Sequence, residues 1–256
     1  MVAAPRAQEL LAPAAWRTVE CISDLHLQPS DPATFEAWRS YMDRTGADAL
    51  FILGDLFEAW VGDDAAREPG FDADCALVLQ RTAQRLPLFL MHGNRDFLLG
   101  QALAAQAGLT LLADPTVLQL GEHRWLLSHG DALCVDDTEY LAFRDKVRSP
   151  RWQSDFLAQP LQRRQQIARG LRGESEEHKR NDRHYPDVDS GTALQWLRAA
   201  DAPVLVHGHT HKPADHPLDG AHRRIVLSDW DGGAQPPRLQ ALRLDRDGAA
   251  QRIALA

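Results

Sequence analysis

The stretch Leu50-Phe51-Ile52-Leu53-Gly54-Asp55 runs from four apolar residues into a glycine and a carboxylate. An unbroken apolar run of this kind is typical of a strand that is buried on both faces, as in a parallel sheet. Gly54 predicts a tight turn of the backbone where the strand ends. Asp55 would then lie at the carboxyl end of the strand, where open α/β sheets bind their ligands. Taken alone, an aspartate in this position is more often a turn residue or a helix cap.

Four other apolar runs end in the same way, with Asp, Asn or His and usually an adjacent glycine. They lead into Asp24-Leu25-His26, Gly93-Asn94-Arg95-Asp96, His129-Gly130-Asp131 and Gly208-His209-Thr210-His211. A purely structural explanation would need five separate coincidences of one pattern. We therefore interpret the five strand ends as parts of a single functional site, to which each contributes polar side chains.

The polar residues at these strand ends combine carboxylate, amide and imidazole donors, a set that suits divalent ions such as Mn, Fe or Zn. The candidate ligands are Asp24, His26, Asp55, Asn94, His129, His209 and His211. Seven donors are too many for one ion and fit two, with Asp55 as the shared ligand. Two ions about 3.5–4 Å apart can clamp the attacking and leaving oxygens of a phosphoryl displacement and activate a water near neutral pH.

Composition narrows the class of protein. The chain has 256 residues, 44% hydrophobic and 25% charged, as in ordinary globular domains. Its formal net charge of −8 argues against a general nucleic-acid-binding surface. The spacing of Cys21, Cys75 and Cys134 fits reduced thiols in a cytosol, and no apolar run is long enough to span a bilayer. We expect residues 1–16, interrupted by Pro5 and Pro13, to be a disordered N-terminal extension and not a signal peptide.

Strands and helices alternate along most of the chain, which predicts a layered α/β fold with the helices outside. We expect this core to comprise residues 17–133 and 201–256. Between these ranges the strand signals vanish, and helices are predicted at 138–147, 151–157, 160–172 and 191–200. We interpret residues 134–200 as a helical insertion that forms a cap beside the site. The alternative is a helical decoration with a small core of its own.

The five motifs resemble those of the calcineurin-like metallophosphoesterases, in the same order along the chain. The resemblance implies a four-layered αββα sandwich in which two sheets pack together. It also implies how the metal ligands divide. Asp24, His26, Asp55 and His211 would hold one ion, and Asp55, Asn94, His129 and His209 would hold the other.

One departure from the superfamily pattern makes the resemblance more specific. A histidine usually follows the asparagine of the third motif, whereas this chain has Arg95 after Asn94. This motif and the segment 54–64 resemble the UDP-2,3-diacylglucosamine pyrophosphatases of lipid A synthesis. The resemblance implies attack of water at the α-phosphorus, with release of UMP and an acylated sugar phosphate. An arginine suits this reaction, because it stays charged and binds a pyrophosphate bidentately.

The same resemblance implies the functional residues and the surroundings of the enzyme. The catalytic set would be Asp55, Asn94, Arg95 and His129, and the substrate-binding set Asn94, Arg95, Asp137, Ser175, Lys179 and His209. The resemblance implies two divalent ions as the cofactor, with Mn²⁺ as the metal. The insertion departs from the family pattern, so Arg180 and Arg183 are alternatives to Lys179, and Asp137 and Ser175 are equally well explained as a loop acid and a polar cap residue.

The substrate carries two acyl chains, so the resemblance also implies an enzyme bound peripherally at the cytoplasmic face of the inner membrane. The insertion would cover the acyl chains, and its arginines would face anionic lipid head groups. Those arginines are Arg148, Arg151, Arg163, Arg164, Arg169 and Arg172. The alternative is a solvated helix face.

Two other functions are compatible with the motifs. The first is a dinuclear phosphoesterase that acts on another nucleotide or phosphodiester. The second is a non-catalytic scaffold that uses the same fold to bind proteins. Scaffolds typically lose metal ligands, and because all seven candidates are present here, we rank this interpretation last.

Overall fold

Two six-stranded sheets form the centre of the protein in the computed structural model, which describes residues 4–181 and 187–255, with side chains outside 173–181. The strands are β1 Gln8–Leu11, β2 Thr18–Ile22, β3 Ala49–Leu53, β4 Leu88–Met91, β5 Thr110–Leu112, β6 Thr116–Leu120, β7 His123–Ser128, β8 Val204–His207, β9 Asp215–Pro217, β10 Arg223–Val226, β11 Gln240–Asp245 and β12 Ala250–Ala254. The helices are α1 Pro32–Arg44, α2 Phe71–Ala83, α3 Gln101–Ala107, α4 Thr138–Val147, α5 Pro150–Leu157, α6 Leu161–Asn181 and α7 Ser190–Ala199. Short 3₁₀ helices span Asp63–Ala66 and Asp131–Leu133.

The two sheets pack face to face through alternate residues of their strands. The first sheet has the order β12-β11-β2-β3-β4-β5, and the second has the order β1-β6-β7-β8-β10-β9. In β3, Phe51 and Leu53 point into the core between the sheets, whereas Leu50 and Ile52 point to the opposite face. This alternation follows from the two-residue period of a strand, and it explains why β3 is apolar throughout.

Helices cover the outer faces of both sheets. Trp38 of α1, Leu79 of α2 and Leu103 of α3 pack in the same cluster as Leu50 and Ile52. On the other side, α7 packs against the outer face of the second sheet. The order of layers is therefore helix, sheet, sheet, helix, which confirms the four-layered sandwich expected from the motifs.

Parallel pairing brings the predicted strand ends to one side of each sheet. β2, β3 and β4 are parallel neighbours, and β7 and β8 are parallel neighbours in the second sheet. Because parallel strands end at the same edge, the loops that follow them start close together. The five motifs therefore begin along adjoining edges of the two sheets.

The expectation that residues 1–16 form a disordered extension is wrong for residues 8–11. These residues form β1, which pairs parallel to β6 at the edge of the second sheet. Leu10 packs against the core between the sheets, and Ala12 and Trp16 are buried in it. The backbone hydrogen bonds of an open sheet edge and this small apolar contact explain why the segment is ordered.

The helices between β7 and β8 differ in what they pack against. Phe156 of α5 is buried in the cluster beneath the first sheet, with Leu161 and Ile167 of α6 packed beside it. In contrast, Ala193 and Leu197 of α7 pack with residues of the second sheet, although α7 lies within the range 134–200 assigned to the insertion. Within the insertion, α5 and α6 thus pack on the first sheet and α7 on the second, and we use the word cap for α4, α5 and α6.

The expectation that the six arginines of the insertion face lipid is wrong for Arg164. This side chain is only 3% exposed, forms an ion pair with Asp64, and donates hydrogen bonds to the carbonyl oxygens of Val61 and Gln159. It fastens α6 to the loop after β3. Its charge is balanced inside the protein, which is how a buried arginine is normally accommodated.

Candidate active site

The seven predicted ligands form a continuous chain of contacts at the adjoining sheet edges. Asp24, Asp55 and His129 are almost completely buried, and His209 is 8% exposed. His26 and Asn94 are half-buried, and His211 is the most exposed of the seven. The site is therefore a buried polar cluster that opens to solvent on the side of His211.

The first group of donors combines the loops after β2 and β8. His211 Nε2 lies 3.3 Å from Asp24 Oδ1 and 3.2 Å from His26 Nε2. The donor atoms of these three residues all lie within 4.8 Å of one another, which is compatible with a shared ion. Asp24 is held in place by the backbone N–H of His209 and by the hydroxyl of Ser23, which donate to its carboxylate.

The second group combines the loops after β3, β4, β7 and β8. Asn94 Oδ1 lies 3.1 Å from His129 Nε2 and 3.0 Å from His209 Nδ1. His129 Nε2 is 3.7 Å from Asp55 Oδ1, and His129 Nδ1 donates to the Leu53 carbonyl at 2.9 Å. That bond fixes the ring so that Nε2 faces the other donors, as in many metal sites.

Asp24 links the two groups. Its carboxylate also lies within 4.8 Å of donor atoms of Asp55 and His129. On distance alone Asp24 therefore belongs to both groups, whereas the sequence pattern assigns the shared position to Asp55. The assignment of Asp55 as the shared ligand stays a prediction.

The backbone around the site is held in an unusual conformation. Six residues other than glycine have a positive φ among those that the structure describes, and five of them are candidate ligands: Asp24, His26, Asp55, His209 and His211. Left-handed backbone is uncommon for such residues, costs about 1–3 kcal/mol each and clusters at functional sites. Gly54 (φ +87°) precedes Asp55, and a Cβ there would lie 2.6 Å from His129 Nδ1. Only glycine lets the two strand ends approach this closely.

The electrostatics of the site favour a bound cation. Burial disfavours charge on Asp24, but the hydrogen bond from His211 and the imidazoles of His129 and His26 hold its pKa well below the usual range. Burial raises the pKa of Asp55. Burial likewise opposes protonation of His129, yet the carboxylates of Asp55 and Asp24 raise its pKa to about 9. Two buried carboxylates with imidazole and amide donors therefore fit divalent ions, which would supply the compensating charge directly.

Comparison with known proteins agrees with this geometry. Residues 18–213 match the model of the calcineurin-like phosphoesterase family. A UDP-2,3-diacylglucosamine hydrolase from Bordetella parapertussis is 45% identical over 234 residues, covering 88% of this chain and 91% of that protein. The chain belongs to the UDP-2,3-diacylglucosamine hydrolase family of calcineurin-like phosphoesterases. A member from Chromobacterium violaceum is 46% identical over 84% of this chain and 91% of its own length, and one from Aeromonas hydrophila is 47% identical over 82% and 89%. The resemblance seen in the sequence motifs is confirmed.

The residues that the resemblance assigned to substrate binding in this hydrolase family lie in different surroundings. Arg95 is half-buried beside the donors, and its backbone N–H donates to Asp55 Oδ1 at 2.8 Å. Asp137 is the N-cap of α4, where its carboxylate accepts from the backbone N–H of Tyr140. Ser175, Lys179 and Arg180 belong to α6, but their side chains are not among those that the structure describes. Arg183 lies outside the described residues. Substrate roles for these residues stay predictions.

Sequence reasoning missed several residues that support the site. Asp96 is completely buried, and its carboxylate accepts from the backbone N–H groups of Leu56 and Gly93, both at 2.8 Å. It thereby ties the loop of Asp55 to the loop of Asn94. The one available signal was that Asp96 is the last residue of the third motif.

Charged residues of the cap reach the same loops. Arg148 at the end of α4 donates to the Gly93 carbonyl at 2.9 Å and lies 3.6 Å from Asp131. Arg172 of α6 forms an ion pair with Glu58, which also contacts Arg95. These arginines therefore contact the loops of the active site, whereas the sequence analysis expected them to face lipid head groups.

Proposed function

We propose that this chain hydrolyses the pyrophosphate bond of UDP-2,3-diacylglucosamine, giving UMP and 2,3-diacylglucosamine 1-phosphate. The observation that carries the proposal is the set of continuous contacts that joins all seven donors, in a protein about 45% identical to hydrolases named for this substrate. A scaffold would have no need to keep a strained, buried set of this kind. Arg95, which replaces the usual histidine, favours this substrate over other phosphodiesters.

The proposed cofactor is a pair of divalent ions, most simply Mn²⁺. Asp24, His26 and His211 would hold one ion, and Asn94, His129 and His209 the other, with Asp55 shared between them. When bound, such ions supply an activated water and neutralise phosphate charge. The mixed oxygen and nitrogen donors suit Mn²⁺ better than they suit the sulfur-seeking metals.

The chain's own residues bind and orient the substrate. Arg95 would bind the pyrophosphate through its guanidinium, whose planar fork matches phosphate oxygens. His209 and Asn94, which contact each other at 3.0 Å, would bind the substrate together with Arg95. We infer that Asp137, Ser175 and Lys179 complete the substrate site from the cap, with residues 17–133 and 201–256 as the catalytic core. The leaving group is already a phosphate anion, so a proton donor at position 95 is not required.

The acyl chains and the membrane would meet the cap. Phe143 of α4, Leu157 of α5 and Leu171 of α6 are 39–41% exposed and would offer apolar contacts to the acyl chains. No helix in the described part of the chain is both long enough and apolar enough to cross a bilayer. We infer peripheral association with the cytoplasmic face of the inner membrane, through the cap and anionic lipid.

The test is release of UMP from acylated UDP-sugar by protein that has been stripped with a chelator, with and without added Mn²⁺. We expect turnover only with the metal. In isotopically labelled water, the label should enter UMP and not the sugar phosphate, because attack is at the α-phosphorus. Much faster cleavage of bis-p-nitrophenyl phosphate than of the acylated UDP-sugar would instead support a general phosphodiesterase.

A further inference from the structure

Glu58 occupies a buried position beside the donor cluster, and the function described above assigns it no role. It lies in the loop that follows β3, three residues after Asp55, and is 8% exposed. Its backbone N–H donates to the Leu27 carbonyl at 3.1 Å, which joins this loop to the loop after β2. On either side of it, the Leu56 carbonyl accepts from the N–H of Leu27 at 2.9 Å and the N–H of Trp60 donates to the Arg95 carbonyl at 3.0 Å.

The carboxylate of Glu58 contacts side chains from three separate parts of the chain. Oε2 lies 3.1 Å from Nδ1 of His26, in the loop after β2. Oε1 lies 3.3 Å from Arg95 Nη1, in the loop after β4, and 3.1 Å from Arg172 Nε on α6. One oxygen therefore faces a candidate metal ligand, while the other faces two guanidinium groups.

The contact with His26 determines which ring nitrogen is available to a metal. Because Nδ1 is turned toward Glu58, Nε2 points to the other donors, 3.2 Å from His211 Nε2 and 4.0 Å from Asp24 Oδ1. A carboxylate beside the far nitrogen of a ligating histidine favours the proton on that nitrogen and leaves the other one for the metal. Here the contact is one of charge and distance, because the two atoms lie 3.1 Å apart without the angle of a hydrogen bond.

The carboxylate of Glu58 also offsets the repulsion between two positively charged arginines. Arg95 and Arg172 both approach Glu58 Oε1, so their guanidinium groups lie side by side although they repel each other. The carboxylate between them offsets this repulsion in a half-buried setting, where charges are screened less than in bulk water. It also joins α6 to the loop that carries Asn94, because Arg172 and Arg95 share Glu58 Oε1. Arg172 additionally donates to Gln28 Oε1 at 3.2 Å, in the loop after β2.

We propose that Glu58 is a positioning residue that serves both halves of the reaction at once, orienting His26 for the metal and holding Arg95 and Arg172 together for the pyrophosphate. The inference rests on the proposed function for its substrate half. Its metal half depends only on His26 and is independent of which substrate is cleaved.

The experiment compares Glu58→Gln with a matched control, Glu36→Gln. Glu36 also pairs with an arginine, Arg39, but on the exposed surface of α1, where its side chain is 55% exposed. For each variant, metal affinity is measured by chelator competition and KM and kcat are measured at saturating metal, with thermal unfolding as the check on folding. Glu58→Gln should weaken metal affinity about tenfold or more and lower kcat/KM by a similar factor, whereas Glu36→Gln should match the wild type.

Arg172→Gln separates the two halves of the proposal. It leaves the contact between Glu58 and His26 intact, so metal affinity should stay at the wild-type value while KM rises about fivefold or more. If Glu58 had a purely structural role, Glu58→Gln would lower thermal stability. Arg172→Gln would then not raise KM while leaving metal affinity unchanged. If Glu58→Gln does not fold, Arg172→Gln decides alone, and an unchanged KM overturns the proposal.

The outcomes also distinguish this proposal from the proposed function. Wild-type protein that hydrolyses no acylated UDP-sugar would reject the function, and the metal affinity of Glu58→Gln would still decide the role of Glu58. A folded Glu58→Gln variant with metal affinity and KM both within about twofold of the wild type would overturn the positioning role.

Discussion

Replacing Asp96 with asparagine tests whether one buried carboxylate holds the loops of the active site together. Asp96→Asn keeps the shape of the side chain but turns one oxygen into an NH₂ group. The remaining oxygen can accept from only one of the two backbone donors, the N–H of Leu56 or that of Gly93. The other donor then faces an NH₂ group, buried and without an acceptor.

The expected loss follows from these two contacts. A hydrogen bond to a charged group contributes about 1.5–3 kcal/mol, and an unsatisfied buried donor costs about 1–3 kcal/mol. Because the two effects overlap, we expect the free energy of unfolding to fall by about 2–4 kcal/mol. For a chain of this size, that corresponds to a fall in Tm of at least about 4 °C.

The assay is thermal unfolding of protein stripped of metal, since a bound ion would stabilise the folded state by itself. Asp43→Asn, an exposed aspartate on α1, is the matched control and should leave Tm unchanged. Metal affinity should also fall for Asp96→Asn, because the loops of Asp55 and Asn94 lose their common support. A Tm within about 1 °C of the wild type would refute the role given to Asp96.

Three further predictions concern the ligands, the substrate arginine and the cap. Asp55→Ala should abolish activity and weaken the binding of both ions, and retention of two tightly bound ions per chain would contradict this. Arg95→Ala should keep its metal content but lose roughly 2–4 kcal/mol of transition-state stabilisation, measured as kcat/KM; equal loss of metal would show the role to be wrong. The hydrogen bond from Arg164 lowers the pKa of Asp64 below its ordinary 3.8. The pair therefore stabilises the folded state above pH 3.8, and this stabilisation is lost as the pH falls through the lowered pKa of the folded state. Asp64→Asn should therefore show a smaller fall of Tm on acidification than the wild type, and identical acid dependence would count against the pair.

The meeting of the candidate ligands along adjoining sheet edges was predictable because their signals are local, whereas their role as metal ligands stays a prediction. Asp24, Asp55 and His129 each come within two residues of the end of an apolar strand. The strands that precede them are parallel neighbours of others in the same sheet. A residue that follows a parallel strand therefore lies at the same edge of the sheet as the residues that follow its neighbours. The helix, sheet, sheet, helix arrangement followed from the resemblance of the motifs and not from the alternation of strands alone.

The contacts that support the ligands were not predictable, since their partners are distant in sequence. Glu58 contacts Arg172, which lies on a helix of the cap, and no local pattern connects the two. Arg164 looked like an exposed helical arginine, but its partner Asp64 is 100 residues away. Such long-range ion pairs become visible only when the packing of the helices is known.

The N-terminal strand was not predictable for the same reason, because its partner is distant in sequence. Gln8–Leu11 alternates poorly between polar and apolar residues and follows a stretch rich in alanine and proline. Its partner, Thr116–Leu120, is about a hundred residues further along the chain, and the strand adds only to a sheet edge. Pairing of this kind depends on the edge that the rest of the fold offers.

The most direct test of the central claim is an anomalous diffraction map of crystals soaked in Mn²⁺. The account predicts two peaks about 3.5–4 Å apart, with one on either side of the Asp55 carboxylate. One ion should contact Asp24, His26 and His211, and the other should contact Asn94, His129 and His209. A single peak, or two peaks that share no oxygen of Asp55, would contradict it.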